Sequence, residues 1–157
     1  MERIKFLVMD VDGTLTDGKI YMGENGEIMK AFCARDGYAT HTLLPRYEIK
    51  PVIITGRTSK IVEQRMLELK VDLVFQGARD KLSVLKKLVA DNSAALDNVA
   101  FIGDDVNDLD CINACGISGC PADAHGEVKQ AVDFISSKNG GDGAVRDFIE
   151  WLAKSSD

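Results

Sequence analysis

The residues best suited to chemistry are aspartates that directly follow apolar runs. The first group is Asp10-Val11-Asp12-Gly13-Thr14, after the apolar stretch 4–9. Asp10 and Asp12 are two apart, so on an ideal strand they would point the same way, and Gly13 lets the chain turn sharply. Two crowded carboxylates are costly unless a cation sits between them or their pKa values are split for distinct roles. The second group is Gly103-Asp104-Asp105-Val106-Asn107-Asp108, after Val99–Ile102. The two groups converge if the strands before them are neighbours. Hard oxygen donors of this kind suit Mg²⁺, which takes one or two carboxylates and leaves positions for phosphate oxygen and water. Helix capping would account for one of Asp104, Asp105 and Asp108, but not for all three.

Two further positions fit the same pattern. Ile53-Ile54 leads into Thr55-Gly56-Arg57, whose hydroxyl and backbone N–H groups could hold a phosphate oxygen at a helix start. Lys81 opens a helix after Gln76-Gly77-Ala78-Arg79-Asp80. Alone, these would pass for an ordinary turn threonine and a surface lysine. Four such signals at strand ends, in register, point to one site, because ligands of parallel α/β sheets bind at the carboxyl ends of the strands.

The elements that must carry these residues alternate along the chain. Strands are expected at 4–9, 51–54, Leu73–Phe75, Val99–Ile102, 116–118 and Phe134–Ile135. Several are near-continuous apolar runs, as in strands buried on both faces. Helices are expected at 38–44, 59–70, 82–91, 108–114, 124–131 and 144–154, the second with Ile61, Val62, Arg65, Met66 and Leu69 at helical spacing. This is an α/β pattern with a doubly wound, mainly parallel sheet. One segment interrupts it: over residues 19–32, two short apolar stretches flank Gly-Glu-Asn-Gly, and Asn25-Gly26 signals a β-hairpin. Ile20, Tyr21, Met22, Ile28, Met29 and Phe32 make both of its faces partly apolar. A lone hairpin is marginal in water, so another surface, such as a second copy of the chain, should cover it.

With 157 residues, 45% of them hydrophobic, the chain is long enough for a single domain with a real core. Nineteen Lys and Arg against 25 Asp and Glu give a net charge of −6, which argues against nucleic-acid and polybasic membrane partners. No stretch approaches a membrane span, and the N-terminus lacks a targeting pattern. Four cysteines without a Cys-x-x-Cys pair fit reduced, packed residues in a cytoplasmic protein.

Asp-x-Asp-Gly-Thr, Thr-Gly-Arg, a single Lys and Gly-Asp-Asp-x-x-Asp, in that order from Asp10 to Asp108, resemble the haloacid dehalogenase superfamily. The resemblance implies a Rossmann-like doubly wound sheet and hydrolysis through an aspartyl phosphate. Asp10 would be the nucleophile. Asp12 would protonate the leaving alcohol and then activate water. Asp10, the backbone carbonyl of Asp12 and Asp104 would hold Mg²⁺. Thr55 and Lys81 would steady the phosphoryl oxygens, with Asp105 and Asp108 supporting Lys81 or the metal. An aspartate at position 12 fits a phosphatase, since dehalogenases lack it and transport ATPases carry Thr.

The intervals between motifs leave no room for a large cap domain. A capless chain with such a hairpin is similar to the 3-deoxy-D-manno-octulosonate 8-phosphate phosphatases, which form tetramers through their hairpins and complete one another's sites. The similarity includes Lys30-Ala31-Phe32, Arg35-Asp36-Gly37-Tyr38, Val62-Glu63-x-Arg65, Pro121-Ala122-Asp123-Ala124-His125 and Gly140-Gly141-x-Gly143-Ala144. It implies a phosphorylated sugar acid as substrate, Arg57 and Arg65 facing its carboxylate, and a role in lipopolysaccharide or another surface glycan. Relatives acting on nonulosonate 9-phosphates have an acidic residue where this chain has Arg57. The glycine-rich segment 139–143 is expected to be mobile and able to close over a site. Two readings of other classes fit less well. A phosphorelay receiver would place its acid pair and acceptor aspartate on different strands, and an idle oligomerisation module would not need every catalytic position filled.

Overall fold

The computed structural model describes residues 3–155. Its frame is a six-stranded parallel sheet built from β1 (Phe6–Met9), β4 (Lys50–Ile54), β5 (Leu73–Phe75), β6 (Val99–Ile102), β7 (Ile117–Cys120) and β8 (Phe134–Ile135). The strand order is β5-β4-β1-β6-β7-β8. The chain therefore builds outward from β1 through β4 and β5, then crosses back and continues from β6 to β8 on the other side. β1 lies at the reversal, between β4 and β6, where a doubly wound sheet opens its ligand crevice. The doubly wound parallel sheet expected from the sequence is the one observed.

Alternation along the strands sorts the core into two layers. Leu7 and Met9 of β1 join Ile53, Val62, Met66, Val145, Phe148, Ile149 and Leu152 on one face. Phe6 and Val8 join Val52, Ile54, Leu85, Leu88, Phe101, Ile112 and Val128 on the other. The first face is covered by α1 (Ala34–Tyr38), α2 (Lys60–Glu68) and α6 (Ala144–Ser155). The second is covered by α3 (Lys81–Asp91), α4 (Leu109–Ala114) and α5 (Gly126–Ala131). Phe134, Phe148 and Trp151 stack at 4.9–5.8 Å between centroids and close the β8 edge.

Several elements differ from their expected bounds. Helix starts at Ala34 rather than at residue 38, then runs on through a π turn at Ala39–Leu43 and a 3₁₀ turn at Leu44–Tyr47. Pro45 cannot donate to an α-helical ladder, and the last turn ends with Glu48 in the left-handed region. Strand β7 runs two residues beyond the expected 118, to Cys120. The hairpin forms from β2 (Tyr21–Gly23) and β3 (Gly26–Met29). Its turn is Glu24-Asn25, closed by the Gly23–Gly26 pair, one residue before the expected Asn-Gly turn. Gly26 adopts φ 113°, which a side chain would resist. Ile20, Met22, Ile28 and Met29 are left exposed. All four cysteines are free, as expected.

Candidate active site

The register of the sheet brings the two acidic groups together. β1 pairs with β6 in parallel, Met9 opposite Ile102, and the Asp10 N–H donates to the Ile102 carbonyl at 3.1 Å. The chains leave their strands side by side, one into Asp10 and the other into Gly103-Asp104. Carboxylate oxygens of Asp10, Asp104 and Asp108 all lie within 4.8 Å of one another.

Lys81 arrives from the other side of β1. Asp80 caps α3 by accepting from the Ser83 N–H at 3.1 Å, so Lys81 is the first helical residue and reaches back over the strand ends. Its Nζ donates to Asp10 Oδ1 at 3.0 Å and to Asp108 Oδ1 at 2.7 Å, with only 3% of the side chain exposed. Burial disfavours its ammonium, but the two carboxylates outweigh that and hold its pKa above the usual lysine value. Asp108 is itself fully engaged. Its Oδ2 accepts from the Asp104 N–H at 3.1 Å and the Asp105 N–H at 3.3 Å. Gly103 makes room for this carboxylate, since a Cβ there would lie 2.4 Å from Asp108 Oδ2.

Asp108 has both carboxylate oxygens engaged by Lys81 and two backbone N–H groups, whereas Lys81 takes only Oδ1 of Asp10, so within this group Asp10 and Asp104 keep oxygens that could hold a cation. Burial, then the Asp108 charge, push the Asp10 pKa up to about 6. Burial, then the Asp10 charge, push Asp104 to about 8. Crowding of this kind is relieved by a proton or by a cation between the carboxylates. An all-oxygen donor set under this repulsion fits Mg²⁺.

Thr55 is buried at the end of β4, its N–H bonded to the Phe75 carbonyl at 3.0 Å. It does not open a helix as expected: α2 starts at Lys60, capped by the Ser59 hydroxyl, so residues 55–58 form a loop. Asp105 is exposed and caps the turn after it, accepting from the Val106 N–H at 2.8 Å. Asp12 does not share a direction with Asp10. β1 stops at Met9, and the Val11 carbonyl collects the N–H groups of Thr14, Leu15 and Thr16 in a tight turn. The Asp12 carboxylate is bound instead by Lys30 Nζ at 2.5 Å. Arg57 is half exposed, 3.8 Å from Glu27. Arg65 lies over the Phe32 ring at 5.7 Å and pairs with Glu68 at 3.0 Å, so it is packed between α1 and α2 rather than among the aspartates.

The glycine-rich segment is not a free flap. The Gly141 N–H donates to the Thr14 carbonyl at 3.2 Å, and the Gly140 N–H to Asp123 at 3.0 Å. A Cβ on Gly140 would lie 1.9 Å from the Gly13 carbonyl oxygen. Glycine is needed there because two backbones touch, and the segment buttresses the Asp10–Asp17 turn. Lys30 stands in a stretch that carries the family similarity, Lys30-Ala31-Phe32, but no role for it was read from the sequence.

Comparison with known proteins agrees with this geometry. The family model for haloacid dehalogenase-like hydrolases matches residues 70–149. The 3-deoxy-D-manno-octulosonate 8-phosphate phosphatase KdsC of Escherichia coli K12 is 42% identical over 151 residues, covering 96% of this chain and 80% of that protein. The chain belongs to the haloacid dehalogenase-like hydrolases. Within that family, KdsC of Haemophilus influenzae is 37% identical over 99% of this chain and 86% of its own length. The crystal structure of the Yersinia pestis octulosonate 8-phosphate phosphatase superposes with a TM-score of 0.93 at 38% identity, covering 98% of this chain and 83% of that one. The Moraxella catarrhalis phosphatase, in complex with magnesium, phosphate and KDO, does so with a TM-score of 0.92 at 37% identity, covering 97% and 87%. No helix among the described residues is long and apolar enough to cross a membrane.

Proposed function

We propose that the chain is a Mg²⁺-dependent phosphatase that hydrolyses 3-deoxy-D-manno-octulosonate 8-phosphate through an aspartyl phosphate. The observation that carries this reading is the buried Asp10–Lys81–Asp108 bridge at the carboxyl end of β1, beside Asp104. Asp10, Asp104 and the Asp12 carbonyl would hold Mg²⁺, whose charge would offset that of the nucleophile and of the phosphoryl oxygens. Lys81 holds Asp10 by one oxygen, leaving the other to attack phosphorus, and presents its ammonium to the incoming phosphate. Thr55 offers a hydroxyl at the adjacent strand end. Asp108 fixes Lys81, and Asp105 shapes the turn that carries Asp104 and Asp108. Asp12 gives its proton to the departing alkoxide as the P–O bond breaks, and takes one from water in the second step.

Arg57, exposed at the mouth of the Thr55 loop, is available to a substrate carboxylate, and an arginine there supports an eight-carbon over a nine-carbon sugar acid. Arg65, largely buried against Phe32 and paired with Glu68, serves a substrate carboxylate only where a neighbouring copy brings one to the edge of α2. The apolar hairpin supports a homotetramer in which neighbours supply the absent cap, and the free cysteines support a cytoplasmic enzyme of surface-glycan synthesis.

Phosphate release from octulosonate 8-phosphate, nonulosonate 9-phosphate and hexose phosphates tests the reading. Mg²⁺-dependent turnover that favours the octulosonate ester is expected, and Asp10→Asn should abolish it. Equal, feeble rates across the panel would overturn the substrate, and turnover that survives Asp10→Asn would overturn the nucleophile.

A further inference from the structure

Lys30 lies just beyond β3, at the foot of the hairpin, with 1% of its side chain exposed. Its Nζ binds Asp12 Oδ1 at 2.5 Å and Glu27 Oε2 at 2.9 Å. A buried lysine between two carboxylates is costly to desolvate and is retained where it fixes an arrangement. Glu27 is in turn anchored: its Oε1 accepts from the Ser59 hydroxyl at 2.7 Å. Ser59 caps α2, and its N–H donates to Gln76 Oε1 at 2.8 Å. The chain of contacts therefore runs from the hairpin, through Lys30, to Asp12 on the catalytic turn. A second branch runs through Ser59 to the loop that carries Thr55 and Arg57.

We propose that Lys30 is a positioning residue that orients Asp12 for proton transfer and ties that orientation to the hairpin. This rests on Asp12 being the acid in the proposed reaction. An ammonium has three donors and no acceptor, so the Asp12 oxygen it binds serves best as the carbonyl-type acceptor, and the acid proton is favoured on the other oxygen. With Lys30 on Oδ1, the favoured site of that proton is Oδ2. That oxygen gives it to the leaving alkoxide as the P–O bond breaks and the Asp10–phosphorus bond forms. Lys30 also holds the Asp12 carboxylate out of the Asp10–Asp104–Lys81 cluster, where a further negative charge would compete for the cation. Without Lys30, the Asp12 carboxylate loses the ammonium that distinguishes its two oxygens.

The test is leaving-group dependence. The quantity kcat/KM covers steps only up to release of the alcohol, so it isolates the acid role of Asp12 from its later role with water. A sugar phosphate leaves as a poor alkoxide that needs a proton, whereas p-nitrophenol leaves without one. Lys30→Met should lower kcat/KM for octulosonate 8-phosphate at least tenfold more than for p-nitrophenyl phosphate, within the 10²–10⁴-fold typical of a positioned acid. Lys30→Arg should recover part of the difference. Glu27→Gln keeps Lys30 but loosens its anchor, and should show the same selective loss at smaller size even if Lys30→Met fails to fold. Equal losses on both substrates in the folded variants, or no loss, would overturn the role of Lys30. A wild-type enzyme inactive on both esters would overturn the phosphatase reading itself, and this inference with it.

Discussion

Gly13 and Asp104 occupy space that a single methyl group would destroy. A Cβ on Gly13 would lie 1.9 Å from Asp104 Oδ2, and Gly13 adopts φ 89°, where L side chains are strained. Asp104 is further steadied by the Thr14 hydroxyl, which donates to its Oδ1 at 3.4 Å. The turn after β1 thus sets where the second carboxylate stands, although 90 residues of chain separate Thr14 and Asp104. Gly13→Ala should displace Asp104 from Asp10 and cost about 10²-fold in Mg²⁺-dependent turnover, as a misplacement of about 1 Å in such sites does. It should also raise the Mg²⁺ concentration needed for half-maximal thermal protection. Wild-type turnover in the variant would show that the turn tolerates the shift.

Lys81 is the one cation bonded within the aspartate cluster among the described residues. Removing one partner of a buried ion pair costs about 3–5 kcal/mol because the other charge is left uncompensated. Lys81→Met should therefore destabilise the metal-free fold by about that amount. Denaturant unfolding with a chelator present measures it. Saturating Mg²⁺ should return part of the loss, since a cation on Asp10 and Asp104 supplies some of the missing charge. Turnover should remain absent in both conditions. A variant as stable as wild type in chelator would mean that a shared proton already compensates the cluster.

Much of this site was legible in the sequence for a simple reason. Asp10 and Thr55 directly follow apolar strand ends and Asp104 follows one after a single glycine, and parallel strands present their carboxyl ends on one edge. Lys81 was legible through its place at a helix start after β5. The direction of Asp12 was not, because it depends on where β1 stops. The Val11 carbonyl takes three N–H groups into a turn, and strand alternation ends there. The contacts of Lys30 and of segment 139–143 were not legible either, although both stretches carry the family similarity. Each is fixed by a contact distant in sequence, Lys30 to Asp12 and Gly140 to Gly13, and local pattern carries no signal for such pairs. The glycines that suggested mobility are instead the residues that let two backbones touch.

Asp36 gives a stability prediction with a definite sign. It is 1% exposed in α1, and its Oδ1 accepts from the Arg146 N–H at 2.9 Å at the start of α6, while Oδ2 is buried without a hydrogen bond. Burial pushes its pKa up to about 6, against the pull of the α6 backbone N–H groups. A carboxyl that binds its proton more tightly when folded adds stability below about pH 4, and that stability is lost as pH rises through about 6. A rise of this size corresponds to about 3 kcal/mol. Compared with Asp36→Asn, which does not titrate, wild type should lose about that much stability between pH 4 and pH 8. Urea unfolding of both proteins across this range gives the difference directly. A gap that stays constant with pH would place the Asp36 proton elsewhere.

The hairpin prediction separates assembly from folding. Ile28 is 65% exposed and Met22 60% exposed on a two-stranded sheet whose root, through Glu27 and Lys30, is bound to the body of the molecule. Isolated two-stranded sheets are marginal in water, so apolar residues at the tip gain by being covered by another copy. Ile28→Glu would bury a charge at that contact, and light scattering should show a smaller species than wild type. Its far-UV spectrum should stay native, since Ile28 contributes to neither core layer. If neighbouring copies also cap the site, the smaller species should lose affinity for the sugar phosphate more than for inorganic phosphate, because only the sugar extends beyond the strand ends. A native-sized Ile28→Glu protein would mean that the tip of the hairpin is not the contact.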